Sequence, residues 1–435
     1  MNEASEQFRI DSMKIENIRR FEAFEIDLEP DLTVLTGDNA TGKTTLLECL
    51  AVLASVPFVE FPHTSSKTLR LSDVRETVTS VGSSFDRQLH LPARLSARGR
   101  FAGEPVEWGR SLSSTKRSRM TIADSKELLS RASSVQVSIS QGSESTVLPI
   151  IALYGTDRLW GHSPQRRPSA AKTSSRMAGY SDCVSAGVDE TGLYSWLEKV
   201  TLWELQNRKS SPELHAVKQA IASCLPHPEG GSDISVDYDL ERRQLVLAYI
   251  DTSGEYRRDS LHSMSDGYRS TLSLVSDIAR RMATLNPMLL DRVLETPGIV
   301  LIDEVDLHLH PLWQARILAD LRRTFPQVQF VVSTHAPTIA ASVNKRHLRL
   351  LGTDAAFAPS EETYGRDVNA IMNIVMGSSK RPQEVDRLFS AFYTLLDGED
   401  YLGAEAKLDE IERRIGGTDA ELVSARTALI LERDV

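Results

Sequence analysis

Residues 37–44, Gly37-Asp38-Asn39-Ala40-Thr41-Gly42-Lys43-Thr44, limit the fold more than any other stretch of this chain. The order of residue types is GxxxxGK[ST]. Glycines at its two ends let consecutive backbone N–H groups turn inward and cradle an anion. A helix starting near Lys43 adds its free N–H groups and the positive end of its dipole at the same point. Lys43 then reaches the β- and γ-phosphates of a nucleotide, and the Thr44 hydroxyl ligates Mg²⁺. The pattern has this meaning only between a strand and a helix. Both flanks comply: DLTVLTG (31–37) is a β-branched run ending at glycine, and TTLLECLAVLA (44–54) switches to helix formers. The expected phosphate cradle is Asp38, Asn39, Ala40, Thr41, Gly42, Lys43, Thr44 and Thr45.

A second block, GIVLIDE (298–304), sets four apolar residues before Asp303 and Glu304. By itself it could be a strand ending in a solvated acidic turn. After a phosphate loop, with strands and helices alternating around it, it reads as a parallel strand whose carboxyl end faces the ligand. Asp303 is then expected to hold Mg²⁺, directly or through water, and Glu304 to polarise an attacking water as general base. His335, in VVSTHAP, follows the next strand and so emerges at the same edge, as a γ-phosphate sensor or as a histidine at a helix start. His308 and His310 form an HxH pair, but no third ligand is suitably spaced for zinc.

A third block, SMSDGYRSTLSL (263–274), reads as a helix start with Ser263 or Ser265 as N-cap and Asp266 in the positive first turn. Glycine inside a first turn costs about 1 kcal/mol relative to alanine. Gly267 therefore needs a reason beyond helix formation.

Composition narrows the class. Of 435 residues, 41% are hydrophobic and 25% charged, as in soluble globular chains. The formal net charge of −10 disfavours wholesale coating of nucleic acid, although STKRSR (114–119) and QRRPSAAKTSSR (165–176) are basic clusters that fit either DNA or RNA contact or solvated loops. No apolar run is long enough to span a membrane, and the polar, acidic start MNEASEQFRID lacks the features of a secretory signal. Cys49, Cys183 and Cys224 are widely spaced and odd in number, which suits reduced thiols and a cytoplasmic location with no membrane partner.

Along the chain, MKIENIRRFEAFEIDL (13–28) alternates around an RRF centre and predicts a strand pair or one long bent strand. Residues 60–150 predict a poorly regular antiparallel insertion, with STVLPIIALYG (145–155) returning to a buried strand. Residues 161–185 predict a flexible loop, 189–225 helices anchored by Trp196 and Trp203, and 232–251 a hairpin. The tail from about 381 predicts amphipathic helices. Phe389, Phe392, Tyr393 and Leu396 line one of their faces, suited to a partner or to the chain's own head. No repeat and no sustained heptad run occurs.

Taken in order, NIRRF, GDNATGKT, MSDGY, VLIDE, DLHLHP and STH resemble the ABC-type ATPases of the RecF, SMC and OLD clan. That resemblance implies an α/β fold: an ABC-type P-loop head with a mainly parallel sheet, an antiparallel β subdomain, a helical insertion and a helical C-terminal tail. The implied divisions are a split head (1–60 and 232–378), a β-rich insertion and sheet return (61–160), a loop and helical insertion (161–231), and a tail (379–435). In that clan the serine-glycine segment closes over the γ-phosphate of ATP held by a second subunit. The resemblance thus gives Ser265 a hydroxyl to donate and Gly267 a bare backbone for close approach, within a homo-oligomer that is at least a head-to-tail dimer. Asp306 matches the clan's loop across the dimer seam. Two departures stand out: Asp266 replaces a glycine, and no glutamine follows the insertion as magnesium-and-water sensor. The LSDGYRS-like signature, the Tyr154-Gly155-Thr156-Asp157-Arg158 stretch, the Gly179-Tyr180 pair and the helical tail are similar to the PtuA ATPase of Septu and retron-associated anti-phage systems. For that family the implied role is an ATP- and Mg²⁺-dependent oligomeric sensor or scaffold that controls an HNH nuclease subunit (PtuB-like). No HNH or carboxylate-rich nuclease signature is visible in this chain. A non-hydrolysing nucleotide-bound adaptor and a DNA-repair-type ATPase gripping DNA directly remain as alternatives.

Overall fold

In a computed structural model of the chain, the described residues are 8–433 apart from 60, 62–63, 65, 82–83, 117–118, 144, 160–174, 226–231, 261–262 and 377–380. The chain falls into two compact units, Met1–Arg366 and Asp367–Val435. The first begins with β1 (Phe8–Ile18), β2 (Phe21–Asp27), β3 (Leu32–Thr36) and α1 (Lys43–Ala54). Then come β4 (Glu76–Val81), β5 (Ser84–Leu89), β6 (Ala93–Phe101), β7 (Glu104–Leu112), α2 (Lys126–Ser140) and β8 (Ile150–Tyr154). Two helices, α3 (Glu190–Asn207) and α4 (Pro212–Cys224), precede β9 (Ser232–Asp239), β10 (Gln244–Ile250) and β11 (Tyr256–Ser260). The unit closes with α5 (Asp266–Leu285), β12 (Gly298–Ile302), α6 (Pro311–Thr324), β13 (Val328–Ser333), α7 (Pro337–Ala341), β14 (Leu348–Leu351) and β15 (Ala356–Phe357).

The central sheet has the order β15-β14-β3-β13-β12-β8 and is parallel except for the β15 edge. Strands β3, β8, β12 and β13 are buried along their whole length, as expected of parallel strands covered on both faces. Its register decides what meets at the edge. Ser333 lies opposite Leu35, while Val332 and Tyr154 both lie opposite Ile302. The segments leaving four parallel strands, at 37, 155, 303 and 334, therefore emerge on one edge.

Packed with this sheet is an antiparallel one of order β2-β1-β6-β7. The RRF centre is the turn of the β1–β2 pair, with Ile18 opposite Phe21. Strand β6 alternates buried and outward residues, so only one face enters the core. On that face Phe8, Phe58, Phe101 and Trp108 cluster, and the Trp108 indole donates to the Leu53 carbonyl at 3.0 Å, fixing the sheet to α1. The insertion is more regular than the sequence predicts. It holds two hairpins, β4–β5 and β6–β7, and the helix α2 besides. The Ser- and Val-rich α2 has modest intrinsic propensity and is held by its buried Leu128 and Ala132, a case of packing overriding local preference. The 232–251 hairpin gains a third strand, β11. Most of the expected 161–185 loop lies outside the described residues; its end, Arg176–Tyr180, is a 3₁₀ turn with Tyr180 buried and donating to the Pro149 carbonyl at 2.8 Å.

The second unit contains α8 (Val368–Met376), α9 (Gln383–Asp397), α10 (Tyr401–Ile415) and α11 (Ala420–Arg433). Here one expectation is corrected. The Phe389, Phe392 and Leu396 face, expected to meet a partner or the chain's own head, forms the unit's own core with Leu408, Ile411, Leu422 and Leu429. Three amphipathic helices joined by short loops satisfy one another first. Only Tyr393 of that face stays partly outside, 38% exposed. No helix among the described residues is long and apolar enough to cross a membrane.

Candidate functional site

The loop from β3 to α1 is shaped by its backbone. Gly37, Ala40 and Gly42 all have positive φ, and Gly42 is the N-cap of α1 at φ 100°. A Cβ on Gly42 would lie 2.5 Å from the Phe21 ring, so glycine is required twice over, by conformation and by space. Arg20 donates to the Ala40 carbonyl, and the neighbouring Arg19 donates to Thr45 Oγ1 at 3.2 Å while pairing with Glu48 and Asp73. The RRF turn thus braces the phosphate loop, a role that alternation in the sequence does not reveal.

Lys43 is only 6% exposed, and its Nζ donates to the carbonyls of Gly37 (2.8 Å) and Asp38 (2.9 Å). Burial lowers its pKa, and Asp303, Glu304, Asp38 and Asp306 oppose that effect. Thr44 Oγ1 donates to Asp303 Oδ2 at 2.7 Å, joining residues 259 positions apart. The other Asp303 oxygen accepts from Ser333 Oγ, which in turn accepts from the Glu304 N–H at 2.8 Å. Glu304 adopts a left-handed φ of 48°, sparsely populated for a non-glycine residue. The Asp306 carboxylate accepts from Thr334 Oγ1 at 2.5 Å. His335 lies two residues beyond β13 and is half-buried.

Among the predicted residues, then, Lys43 is hydrogen-bonded to Asp38 and Thr41, and Thr44 to Asp303. Glu304 enters the same network through its backbone. Asn39 and Ala40 are exposed on the loop's outer side. Ser265 and Gly267 behave differently. No hydrogen bond among the described residues links them to residues 37–44. Ser265 is the exposed N-cap of α5 and makes no side-chain cap bond, while Gly267 is buried. A Cβ there would meet the His308 carbonyl at 2.6 Å, which gives Gly267 a reason inside its own chain: α5 starts against the turn that follows Glu304. Asp266 pairs with Arg269, which holds its carboxyl below the usual range. Tyr268 stacks edge-on to Trp313, with ring centroids 4.3 Å apart.

Sequence reasoning missed Ser333, Thr334 and Arg158 as site residues. The first two stand in the STH block, where only the histidine drew attention. Arg158 stands after a buried strand in the Tyr154–Arg158 stretch, and its position just past β8 is the signal that could have found it. Among the described residues no cluster of three or more His, Cys, Asp or Glu side chains is placed to hold an ion. The Thr44 hydroxyl with the Asp303 carboxylate fits Mg²⁺, a hard ion usually bound by few protein oxygens with phosphates completing its shell.

A family model described as "AAA domain" matches residues 12–226, and one described as "AAA domain, putative AbiEii toxin, Type IV TA system" matches 229–341. The retron Ec83 probable ATPase of Escherichia coli is 33% identical over 211 residues, 48% of this chain and 36% of that protein. The retron Vc95 probable ATPase of Vibrio cholerae is 40% identical over 127 residues, 28% and 24% of the two chains. The Septu protein PtuA of Bacillus mycoides is 33% identical over 128 residues, 29% of this chain and 16% of that one. This chain belongs to the ABC-type ATPases of the RecF, SMC and OLD clan, related to PtuA. The matches span about a third or less of the length of these curated relatives. Among solved structures, the SMC head domain from Thermotoga maritima aligns with 81% of this chain and 100% of that one, at 13% identity and a TM-score of 0.44.

Proposed function

We propose that this chain binds ATP with Mg²⁺ on the loop 37–44 and hydrolyses it in a site completed by Ser265 and Gly267 of a second copy. The observation that carries the reading is the 2.7 Å bond between Thr44 Oγ1 and Asp303 Oδ2, with Ser333 on the other carboxylate oxygen. It aims a hydroxyl and a carboxylate at one point beside a glycine-shaped anion nest. Mg²⁺ held there would supply charge neutralisation to the phosphates. The chain's own residues do the rest. Lys43 exchanges its two loop carbonyls for phosphate oxygens. The Glu304 carboxylate takes a proton from water as it attacks, and its unusual backbone is held by Ser333 from one side. His335 faces the γ-phosphate from the end of β13. Asp266, paired with Arg269, presents less negative charge to a neighbour's triphosphate than the bare sequence implies, which favours turnover over a purely structural nucleotide.

Beyond ATP turnover, we infer that the chain works as an oligomeric sensor or scaffold in anti-phage defence and governs a partner HNH nuclease. The similarity to retron ATPases and PtuA supports this. Direct nucleic-acid contact through 165–176 falls almost wholly outside the described residues. The test is phosphate release and nucleotide-dependent mass for wild type, Lys43→Ala, Ser265→Arg and Glu304→Gln. ATP-driven assembly lost in the first two variants, with turnover lost in the last, is expected. Identical masses for all four with and without ATP sink the shared site. Co-expression with a PtuB-like HNH protein, followed by purification on a tag, checks the partner.

A further inference from the structure

Arg158 is 2% exposed, and its guanidinium has four acceptors among the described residues. Nη1 donates to the carbonyls of Gly155 (3.1 Å) and Asp303 (2.7 Å), Nη2 to the carbonyl of Glu304 (2.7 Å), and Nε to Ser270 Oγ (3.2 Å). All four acceptors are neutral. Burial pulls its pKa down to about 10, against the attraction of Asp306, Asp303 and Glu304. Burying a cation with no hydrogen-bonded carboxylate is expensive, so its position has to matter.

Two structures meet at this side chain. On one side is the Glu304 backbone, left-handed at φ 48° and over-determined by Arg158 on its carbonyl and Ser333 on its N–H. On the other is the first part of α5, whose N-cap is Ser265 and whose Gly267 sits against the His308 carbonyl. The strand before Arg158 is tied to the same helix, because Tyr154 donates to Asp277 at 2.9 Å. The loop after β8 also stands beside Asp303 at the sheet edge, so Arg158 occupies a place from which a side chain can read the site.

We propose that Arg158 is a positioning residue that couples the signature segment to the general base. A phosphate engaging Ser265 and Gly267 at the neighbour's site thereby changes the aim of Glu304 at this copy's own site, and the two sites of a pair turn over cooperatively. This rests on the reading that two copies share each nucleotide.

The experiment is steady-state ATP turnover of the full chain against ATP concentration, with separate binding of a fluorescent ATP analogue and thermal melting. The variants are Arg158→Lys, Ser270→Ala, their double mutant and Glu304→Gln. Wild type should be cooperative. Arg158→Lys should lower kcat by about tenfold or more, leave analogue affinity within about threefold and abolish cooperativity. Ser270→Ala, which keeps the carbonyl bonds, should cost about threefold in kcat with the same loss of cooperativity. The double mutant should be no worse than Arg158→Lys, since one link is cut twice. A kcat and cooperativity unchanged in both single variants, with Glu304→Gln inactive, overturns the proposal and leaves the ATPase reading standing. A non-cooperative wild type also overturns it. Turnover in Glu304→Gln equal to wild type removes the ATPase reading and the proposal with it. If melting shows Arg158→Lys unfolded, Ser270→Ala decides by the same criteria.

Discussion

The carboxyl edge of the central sheet and the C-terminal helical unit are built by opposite means. At the edge the chain buries charge: Lys43, Asp303 and Arg158 are each no more than 6% exposed, and behind them Asp277 is enclosed with Arg280 and Arg281. Each buried ion is costly and is tolerated only with its partners in place. The C-terminal unit buries no charged side chain among its described residues; its core is Phe, Leu, Ile and Ala, with ion pairs such as Arg426–Glu412 and Arg414–Glu384 left on the surface. The contrast teaches where chemistry is to be sought. An apolar core explains itself by burial, whereas a buried, fully partnered charge indicates a position that the function needs.

The contrast is sharpest under mutation. Glu304→Gln is expected to lower ATP turnover by about 10²-fold or more. Hydrogen exchange across residues 383–433 of that variant should stay as in wild type. Next in size, Phe392→Ala opens the unit's core at a fully buried ring and should cost about 3–5 kcal/mol there. Exchange in α9–α11 should rise by orders of magnitude while the rate of phosphate release holds. A large fall in turnover would show that the two units share stability, and the comparison would break.

Acid separates them further. Burial alone would raise the Asp277 carboxyl, but Arg281 and Arg280 outweigh it and bring it to about 2, against 3.8 for the free side chain. The unfolded chain therefore takes up the proton first. The stabilisation is complete above about pH 4 and drains as pH falls toward 2, amounting to roughly 2 kcal/mol. Exchange on lowering pH from 5 to 3, corrected for intrinsic rate, should open α5 before α9–α11. Simultaneous opening would count against a special role for the buried carboxylate. The smallest effect is expected of Arg426→Ala, whose exposed pairs with Asp409 and Glu412 should leave the melting profile unmoved.

How much was legible follows the same line. The phosphate loop, the acidic pair after β12 and the strand-helix alternation are local patterns, and backbone conformation and side-chain periodicity act over a few residues. The tail's helices were legible for that reason too, whereas the destination of the Phe392 face was not. Burial depends on which surface arrives first, and α10 and α11 lie next in sequence. The α2 helix was missed because its propensity is weak and its buried Leu128 and Ala132 supply the decision.

The sequence by itself determined a glycine-shaped loop between a buried strand and a helix of a parallel sheet, because GDNATGKT and VLIDE hold their meaning in short stretches. Only the tertiary structure decided that Thr44 bonds Asp303, that Phe21 fills the space beside Gly42, and that Arg158 joins Glu304 to Ser270. Those partners are separated by 21 to 259 positions in the chain. Strand register and crossover connections bring them together, and neither is written in the composition of any one segment.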